Sequence, residues 1–167
     1  FGIKPHIMTI AKGLSSGYQP IGGSIVCDEV ARVVAEGGEF FHGYTYSGHP
    51  LAAAAAIATL ELHRAEDLPG RALALEPYWQ DAVHSLKGLP NVIDIRDVGL
   101  IGAVELAPRP GKPTQRALDV FRRCFDDGVL IRVTADIIAM SPPLICEKPH
   151  VDRLINTLAE ALVAEAA

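Results

Sequence analysis

The chain has 167 residues, of which 49 % are hydrophobic and 21 % are charged, and its net charge is −5. This size and apolar content suit one packed domain or two small ones and are unlike those of a disordered chain. An acidic chain without clustered lysines and arginines disfavours a nucleic-acid surface, which must neutralise phosphates. No apolar run reaches the roughly 18 residues that a membrane helix needs. We therefore expect neither nucleic acid nor membrane as a partner.

The sequence contains three cysteines, Cys27, Cys124 and Cys146, which are far apart. No CxxC or Cys/His spacing predicts zinc or a disulfide framework. His42 and His49 flank one loop, but no third ligand has a suitable spacing for a metal. We predict no metal site, and reduced, mostly buried thiols in a cytoplasmic protein.

Two short strands are predicted near the N-terminus. Residues 7–11 form an apolar run that ends at Lys12 and a stretch of glycines and serines. This pattern predicts a buried strand followed by a loop. Residues 24–27 predict a second strand.

Two helices should follow these strands. Asp28 can cap a helix that runs to about Glu36, before a pair of glycines. A polar and aromatic loop covers residues 39–50. The Ala-rich residues 51–64 then predict a helix. This helix is apolar nearly all round, so it should be buried or lie at an interface.

The second half of the sequence has the pattern of a small α+β unit. Residues 75–87 predict an amphipathic helix, and residues 92–98 alternate as a half-buried strand does. Three more strands and two more helices are predicted from apolar runs, possible caps and breakers. The strands are residues 103–106, 129–133 and 137–140, and the helices are residues 114–127 and 148–164.

Lys12 is the first candidate for chemistry. A lysine that emerges from an apolar strand end is partly desolvated, so its amine is neutral often enough to attack an aldehyde. The small residues at 13–17 would leave room for a bulky cofactor. The alternative is a solvent-facing lysine at a strand end, and the local sequence alone favours that alternative.

Thr45 is the second candidate, because a hydroxyl and backbone N–H groups ahead of a helix form a natural anion site. The alternative is a threonine in a turn. Ser15, Ser16 and Ser47 do not lie in a GxSxG elbow, so they are not predicted to be nucleophiles.

Arg132 is the third candidate, since it lies within a strongly apolar predicted strand. An arginine in such a place needs a partner or a cleft. Its planar fork suits a substrate carboxylate. An edge-strand arginine paired with Asp136 or another acid is an equally good interpretation of the local sequence.

Four segments in order carry a resemblance to one family. Residues 5–22, around Lys12, resemble the lysine segment of class III aminotransferases. Residues 42–50 resemble the loop that follows it in that family. Residues 99–106 are similar to the strand pair of its small domain, and residues 141–144 to its C-terminal signature. The resemblance covers essentially the whole chain.

This resemblance implies an α/β protein with fold type I of the enzymes that use pyridoxal 5′-phosphate (PLP), working as a homodimer. Residues 1–65 would be the C-terminal portion of the PLP-binding large domain. Residues 66–167 would be the C-terminal small α+β domain.

The resemblance also implies roles for single residues. Lys12 matches the lysine that forms a Schiff base with PLP and carries a proton between the substrate Cα and the cofactor's C4′. Thr45 matches the residue whose hydroxyl binds the PLP phosphate across the dimer interface, with the backbone of Tyr44 nearby. Arg132 matches the movable arginine that binds the carboxylate of the keto-acid acceptor.

The implied reaction moves an amino group from an amine or omega-amino acid to a keto acid such as pyruvate. The sequence Tyr44-Thr45-Tyr46 is closer to the beta-alanine or amine:pyruvate branch than to ornithine transaminases. The alternatives within the family are an aminomutase, a decarboxylase or an ornithine-type transaminase.

One departure from the family limits this interpretation. The aspartate that pairs with the ring nitrogen belongs to an Asp-Glu motif upstream of the lysine in the family. In this sequence Asp28-Glu29 follows Lys12, so it is a different element. We expect the chain to be the C-terminal part of a transaminase, and to be inactive by itself.

Overall fold

The computed structural model describes residues 2–166. The chain divides into two compact units, Phe1–Asp67 and Leu68–Ala167, called unit 1 and unit 2 below. Unit 1 contains two strands, one short 3₁₀ segment and two α-helices. They are β1 (Ile7–Ala11), the 3₁₀ segment (Lys12–Leu14), β2 (Gly22–Val26), α1 (Asp28–Glu36) and α2 (Pro50–Ala65).

Strands β1 and β2 form an antiparallel two-stranded sheet, in which Ile7 pairs with Val26 and Ala11 with Gly22. The prediction of a strand at residues 7–11 is confirmed, but the prediction that it is buried is wrong for this chain. The side chain of Ile7 is 58 % exposed. Two strands alone have two open faces, and the other described residues of unit 1 leave both largely uncovered.

Helix α1 has the predicted span, but its first residues differ from the prediction. The N-cap position is Cys27, and no side chain caps the helix. Asp28 is therefore not the cap and lies in the first turn with Glu29. Carboxylates there interact favourably with the helix dipole, so Asp28 still favours a helix start at this point.

Helix α2 begins at Pro50, whose fixed φ suits a first turn. Helix α2 was predicted to be buried or to lie at an interface, and within this chain it is buried on one face only. Ala52, Ala56 and Thr59 are buried, whereas Leu51 and Ile57 are each 58 % exposed. The helix thus buries a narrow stripe of small side chains and leaves its larger ones in contact with solvent.

Unit 2 is an antiparallel sheet with helices packed on it. Its strands have the order β3-β4-β6-β5, and each neighbouring pair is antiparallel. Helix α5 contacts both of the other helices of the unit. The elements are α3 (Leu68–His84), β3 (Val92–Val98), β4 (Ile101–Leu106), α4 (Gln115–Asp126), β5 (Arg132–Thr134), β6 (Ile137–Met140) and α5 (Lys148–Ala164).

The core of unit 2 lies between the sheet and the helices. Trp79, Val104, Val120, Ile138 and Leu158 are fully buried there. Such side chains each contribute about 1.5–3 kcal/mol by leaving water. Unit 2 therefore has the hydrophobic core that the described part of unit 1 lacks.

Three elements of unit 2 differ from the prediction by two residues or more. Strand β4 begins at Ile101 rather than at residue 103. Helix α3 begins at Leu68 rather than at residue 75, because Leu68 is itself buried. Strand β5 covers Arg132–Thr134 rather than residues 129–133. Val129 and Ile131 are buried in the core but lie outside the hydrogen-bonded ladder, so their apolar character reflects packing rather than strand pairing.

Charged side chains hold Glu165, which follows α5, against the rest of unit 2. Glu165 accepts hydrogen bonds from Arg109 at 2.7 Å and from Arg123 at 2.5 Å, and Arg109 also reaches Asp119 at 2.5 Å. The hydrogen bond from Arg123 is the largest effect that holds the pKa of Glu165 below its ordinary value. These bonds tie residues after α5 to α4 and the loop before it.

The three cysteines are unpaired, but the prediction that they are mostly buried is wrong, because Cys27 and Cys146 are each partly exposed. Cys124 on α4 is fully buried, and burial raises its pKa to about 11. Among residues 2–166, no helix is long and apolar enough to cross a membrane. No group of three potential metal ligands occurs in the same range.

Candidate functional site

Lys12 lies where β1 ends and the 3₁₀ segment begins. Its side chain is exposed, so the expectation of a partly desolvated amine is wrong for the described residues. It makes no ion pair with any described residue. Its backbone has φ = 54°, in the left-handed region. That region costs a lysine about 1–2 kcal/mol, so the surrounding loop must hold it there.

Ser15 forms three hydrogen bonds within the loop after Lys12. Its Oγ donates a hydrogen bond of 2.6 Å to the carbonyl oxygen of Gln19. Its N–H donates to the carbonyl of Lys12 at 3.3 Å, and its own carbonyl accepts from Tyr18 N–H at 3.0 Å. From the sequence, Ser15 was expected to be a small loop residue and not a nucleophile. The tendency of serine to bond nearby backbone groups in turns was the available signal.

Thr45 lies in a turn directly ahead of α2. Tyr44 and Ser47 close this turn by two bonds. The N–H of Tyr44 donates to Ser47 Oγ at 3.1 Å, and the N–H of Ser47 donates to the Tyr44 carbonyl at 2.9 Å. The side chain of Thr45 is exposed and forms no hydrogen bond within residues 2–166. Its hydroxyl is therefore available to a ligand.

The first turn of α2 offers further donors. Its N-cap residue is His49, and no side chain caps the helix. The first amides of an uncapped helix have no intrahelical partner and face outward with the positive end of the helix dipole. An anion near Thr45 could accept hydrogen bonds from such groups.

A cleft of about 440 Å³ in unit 1 is lined by residues 19–22, by the turn that contains Thr45 and by the start of α2. Gln19 and Gly22 line one side, and Tyr44, Tyr46 and His49 line another. Lys12 and Thr45 are not among its lining residues. The cleft is thus lined by the two residues that flank Thr45 and by the segment before β2, but by neither candidate itself.

Arg132 lies in unit 2, on the edge strand β5. It is exposed and makes no ion pair within the described part of the chain. The alternative that Arg132 pairs with Asp136 is wrong, because Asp136 Oδ1 accepts the N–H of Thr114 at 2.7 Å instead. That bond holds the residue before α4, so the carboxylate has a structural partner.

Arg132 borders an apolar cleft of about 820 Å³ in unit 2. Phe121, Met140 and Ile145 are among the side chains that line it. A guanidinium without a protein partner beside apolar walls suits a ligand that combines a carboxylate with a hydrophobic portion.

Cys146 and His150 line the same cleft but are not arranged as a nucleophile and its base. Burial raises the pKa of the Cys146 thiol, which disfavours the reactive thiolate. His150 Nδ1 accepts the N–H of Glu147 at 3.2 Å, which completes the cap of α5. We therefore assign structural rather than catalytic roles to both residues.

A sequence model of the class-III aminotransferases matches residues 1–162. The chain therefore belongs to the class-III aminotransferase family, as the four segments predicted.

Curated relatives carry more particular names. The chain is 51 % identical over 166 residues to an omega-aminotransferase of Caulobacter vibrioides, a match that covers 97 % of this chain and 38 % of that protein. It is 35 % identical over 168 residues to a beta-alanine–pyruvate aminotransferase of Pseudomonas aeruginosa, with the same coverage of each chain, 97 % and 38 %.

Solved structures agree with this family. An (S)-enantioselective omega-transaminase from Thermomicrobium roseum has a TM-score of 0.90 at 36 % identity, over 99 % of this chain and 39 % of its own. A transaminase from a marine Virgibacillus has a TM-score of 0.89 at 37 % identity, over 98 % and 40 %. The α/β fold of the PLP-dependent transferases, fold type I, is thereby confirmed. The chain spans about two fifths of the length of these relatives.

The residues present fit two ends of PLP. Lys12 offers a primary amine without an ion pair, which suits the aldehyde. Thr45 offers an unengaged hydroxyl near the uncapped amides of α2, which suits the phosphate. The family resemblance places the carboxylate for the ring nitrogen outside this sequence. The described residues thus offer an exposed amine and an unengaged hydroxyl that fit these two ends of the cofactor.

Proposed function

We propose that this chain is the C-terminal part of a PLP-dependent omega-transaminase. The enzyme would move an amino group from an amine or omega-amino acid to a keto acid such as pyruvate. The observation that carries the proposal is Lys12, an exposed lysine held at a φ of 54° at the end of β1 in a chain of the class-III family. Strained backbone of this kind concentrates at functional sites.

Lys12 has two tasks in this proposal. Its Nζ would hold the cofactor by its aldehyde, and as a free amine it would take a proton from the substrate Cα and return one during the reaction. The cofactor supplies the electron sink when it is bound. An amine with no competing ion pair can exchange between these tasks without first breaking a contact within the chain.

Thr45 and Tyr44 would hold the phosphate, the hydroxyl by a hydrogen bond and the backbone of Tyr44 beside it. We propose that they do so for the neighbouring subunit of a homodimer, as the family resemblance implies. The turn closed by Tyr44 and Ser47 supports this role, because it fixes the backbone around a threonine whose hydroxyl stays free. A fixed donor loses little entropy when the anion binds.

Arg132 would bind the carboxylate of the keto-acid acceptor. Its exposure, its lack of an ion pair and its place beside an apolar cleft support this role. An arginine on the three-residue edge strand β5 can also turn away when an apolar amine takes the place of the keto acid.

We propose that unit 1 is the end of the PLP-binding large domain and that unit 2 is the small domain. The exposed apolar side chains of β1 and α2 support this assignment, because a larger domain would cover them. We also propose that the chain is inactive by itself, since it spans about 38 % of its curated relatives. The three unpaired cysteines suit a reducing compartment such as the cytoplasm.

Borohydride reduction of the complete PLP-loaded enzyme, followed by peptide mapping, tests the assignment of Lys12. The label should appear on Lys12 and should be absent in Lys12→Ala, whereas Lys4→Ala, an exposed lysine of the same unit, should be labelled as the wild type is. A label on another lysine would refute the assignment.

The reaction type needs a separate measurement. A donor amine alone should convert the bound cofactor to its pyridoxamine form, and pyruvate should reverse the change. A cofactor that never converts would contradict transamination and favour an aminomutase or a decarboxylase. For the isolated chain, PLP should produce no saturable absorbance band, and such a band would show that the chain forms a site by itself.

A further inference from the structure

Ser15 is the most buried polar side chain among the described residues. It is 1 % exposed, compared with 7 % for Arg116 and 8 % for Thr59. Its neighbours Ser16 and Gly17 are exposed. A hydroxyl that is buried while the adjacent serine faces solvent has a specific partner, which here is the carbonyl of Gln19 at 2.6 Å.

The bonds of Ser15 reach both ends of the loop. Its N–H holds the carbonyl of Lys12, and its Oγ holds the carbonyl of Gln19. Gln19 in turn lines the cleft that Tyr44 and Tyr46 border. One residue therefore connects the backbone of the proposed catalytic lysine to a residue that lines the cleft of unit 1.

The same loop contains two strained residues. Lys12 has φ = 54° and Ser16 has φ = 49°. Left-handed backbone at residues other than glycine persists only where neighbouring contacts impose it. The N–H of Ser15 bonds to the Lys12 carbonyl and the N–H of Ser16 to the Gly13 carbonyl at 3.4 Å, while the Oγ of Ser15 holds the Gln19 carbonyl beyond Ser16. These bonds are contacts within the loop that can impose it.

We propose that Ser15 is a positioning residue for Lys12, through the hydrogen bond from its Oγ to the Gln19 carbonyl. This proposal rests on the proposed function of Lys12. Without the hydroxyl, the Gln19 carbonyl loses its donor, and the loop can relax from the conformation that sets where the Lys12 side chain begins. A displaced amine reduces the chemical step more than it weakens substrate binding.

The test compares Ser15→Ala with Ser16→Ala in the complete PLP-loaded enzyme. Ser16 provides a matched control, because it is an exposed serine one residue away with a similar φ. Ser15→Thr keeps the hydroxyl and should rescue. The measurements are kcat, KM for the donor amine, the pH profile of kcat, and Tm. If Ser15→Ala does not fold, Ser15→Cys keeps the size, weakens the donor and takes its place.

We expect Ser15→Ala to lower kcat by about 10- to 100-fold, with a much smaller change in KM and an altered pH profile. Ser16→Ala should match the wild type, and Ser15→Thr should recover most of the kcat. A Ser15→Ala enzyme with the kcat of Ser16→Ala would overturn the proposal. So would an equal loss of kcat in Ser15→Thr, because the hydroxyl would then not be the feature that matters.

Borohydride mapping of the wild type separates this proposal from the one on which it rests. A label on Lys12 together with an ordinary kcat in Ser15→Ala refutes only the positioning role. A label on another lysine refutes the proposed function of Lys12, whatever the Ser15 variants do.

Discussion

Gly102 on β4 lies so close to the indole of Trp79 on α3 that a Cβ atom at Gly102 would be 3.0 Å from Cζ2 of Trp79. The same atom would be 3.2 Å from Cγ2 of Val83. Both side chains are fully buried, so neither has free space into which to move. The absence of a side chain at Gly102 lets the helix and the sheet approach each other.

Gly102→Ala should therefore destabilise unit 2 by about 1–3 kcal/mol, the usual cost of overpacking a filled core. Chemical denaturation measured on the complete enzyme would show this loss. Gly43→Ala is a suitable control, because a Cβ there meets nothing within 4 Å and no positive φ is involved. Equal stability of the two variants would show that the core adjusts to the added methyl group.

The pH dependence of stability should reveal the bonds of Glu165. Its pKa is lowered, mainly by the hydrogen bond from Arg123. The ionised carboxylate therefore stabilises the fold above about pH 4.3, the ordinary value for glutamate, and this contribution is lost as the pH falls through the folded pKa.

Glu165→Gln should lower Tm by a few degrees at neutral pH, and the difference from the wild type should shrink below about pH 4. Glu160→Gln, an exposed residue of α5 with no ion pair in the described chain, should change Tm little at either pH. A difference for Glu165→Gln that does not vary with pH would exclude the ionised carboxylate as its cause.

Arg132 should affect acceptors that carry a carboxylate. Arg132→Ala should raise KM for pyruvate by about 10- to 100-fold, the loss expected for a hydrogen bond between charged groups. Turnover of apolar amines with an uncharged carbonyl acceptor should change much less. Arg71→Ala, an exposed arginine of α3, is the control. An equal effect on charged and uncharged acceptors would contradict the assigned role.

Thr45 should affect the affinity for the cofactor. Thr45→Val has nearly the same shape without the hydroxyl, and it should raise the Kd for PLP by about tenfold or more. Thr45→Ser keeps the hydroxyl and should bind PLP nearly as the wild type does. Equilibrium dialysis of the PLP-free enzyme would measure both. Equal affinities of the valine and serine variants would remove Thr45 from the phosphate site.

Elements whose sequence pattern is local were predicted well. Strand β3 and helix α5 have the predicted bounds, because an alternating run and a periodic apolar stripe each define one element. Strand β5 was misplaced, since buried Val129 and Ile131 resemble strand residues although they pair with no strand. An apolar run indicates that its side chains are buried, but it does not indicate that its backbone forms hydrogen bonds to a neighbouring strand.

The candidate site was only partly predictable. Lys12 and Thr45 were candidates from the residues alone, but each resembles an ordinary surface residue there, and only the family resemblance favours their proposed roles. Ser15 was missed, because its importance depends on burial and on a bond to Gln19 that only the folded loop creates. The exposure of β1 was also unexpected, because an apolar sequence does not indicate which part of a protein covers it.

The buried thiol of Cys124 can be used to detect local opening of unit 2. A protonated thiol that solvent does not reach reacts slowly with maleimides, whereas Cys27 and Cys146 are each partly exposed. Modification of Cys124 would then follow the transient separation of α4 from the core, and its rate would measure how often that separation occurs. The rate of Cys124 modification would thus measure local opening of unit 2 without any added label.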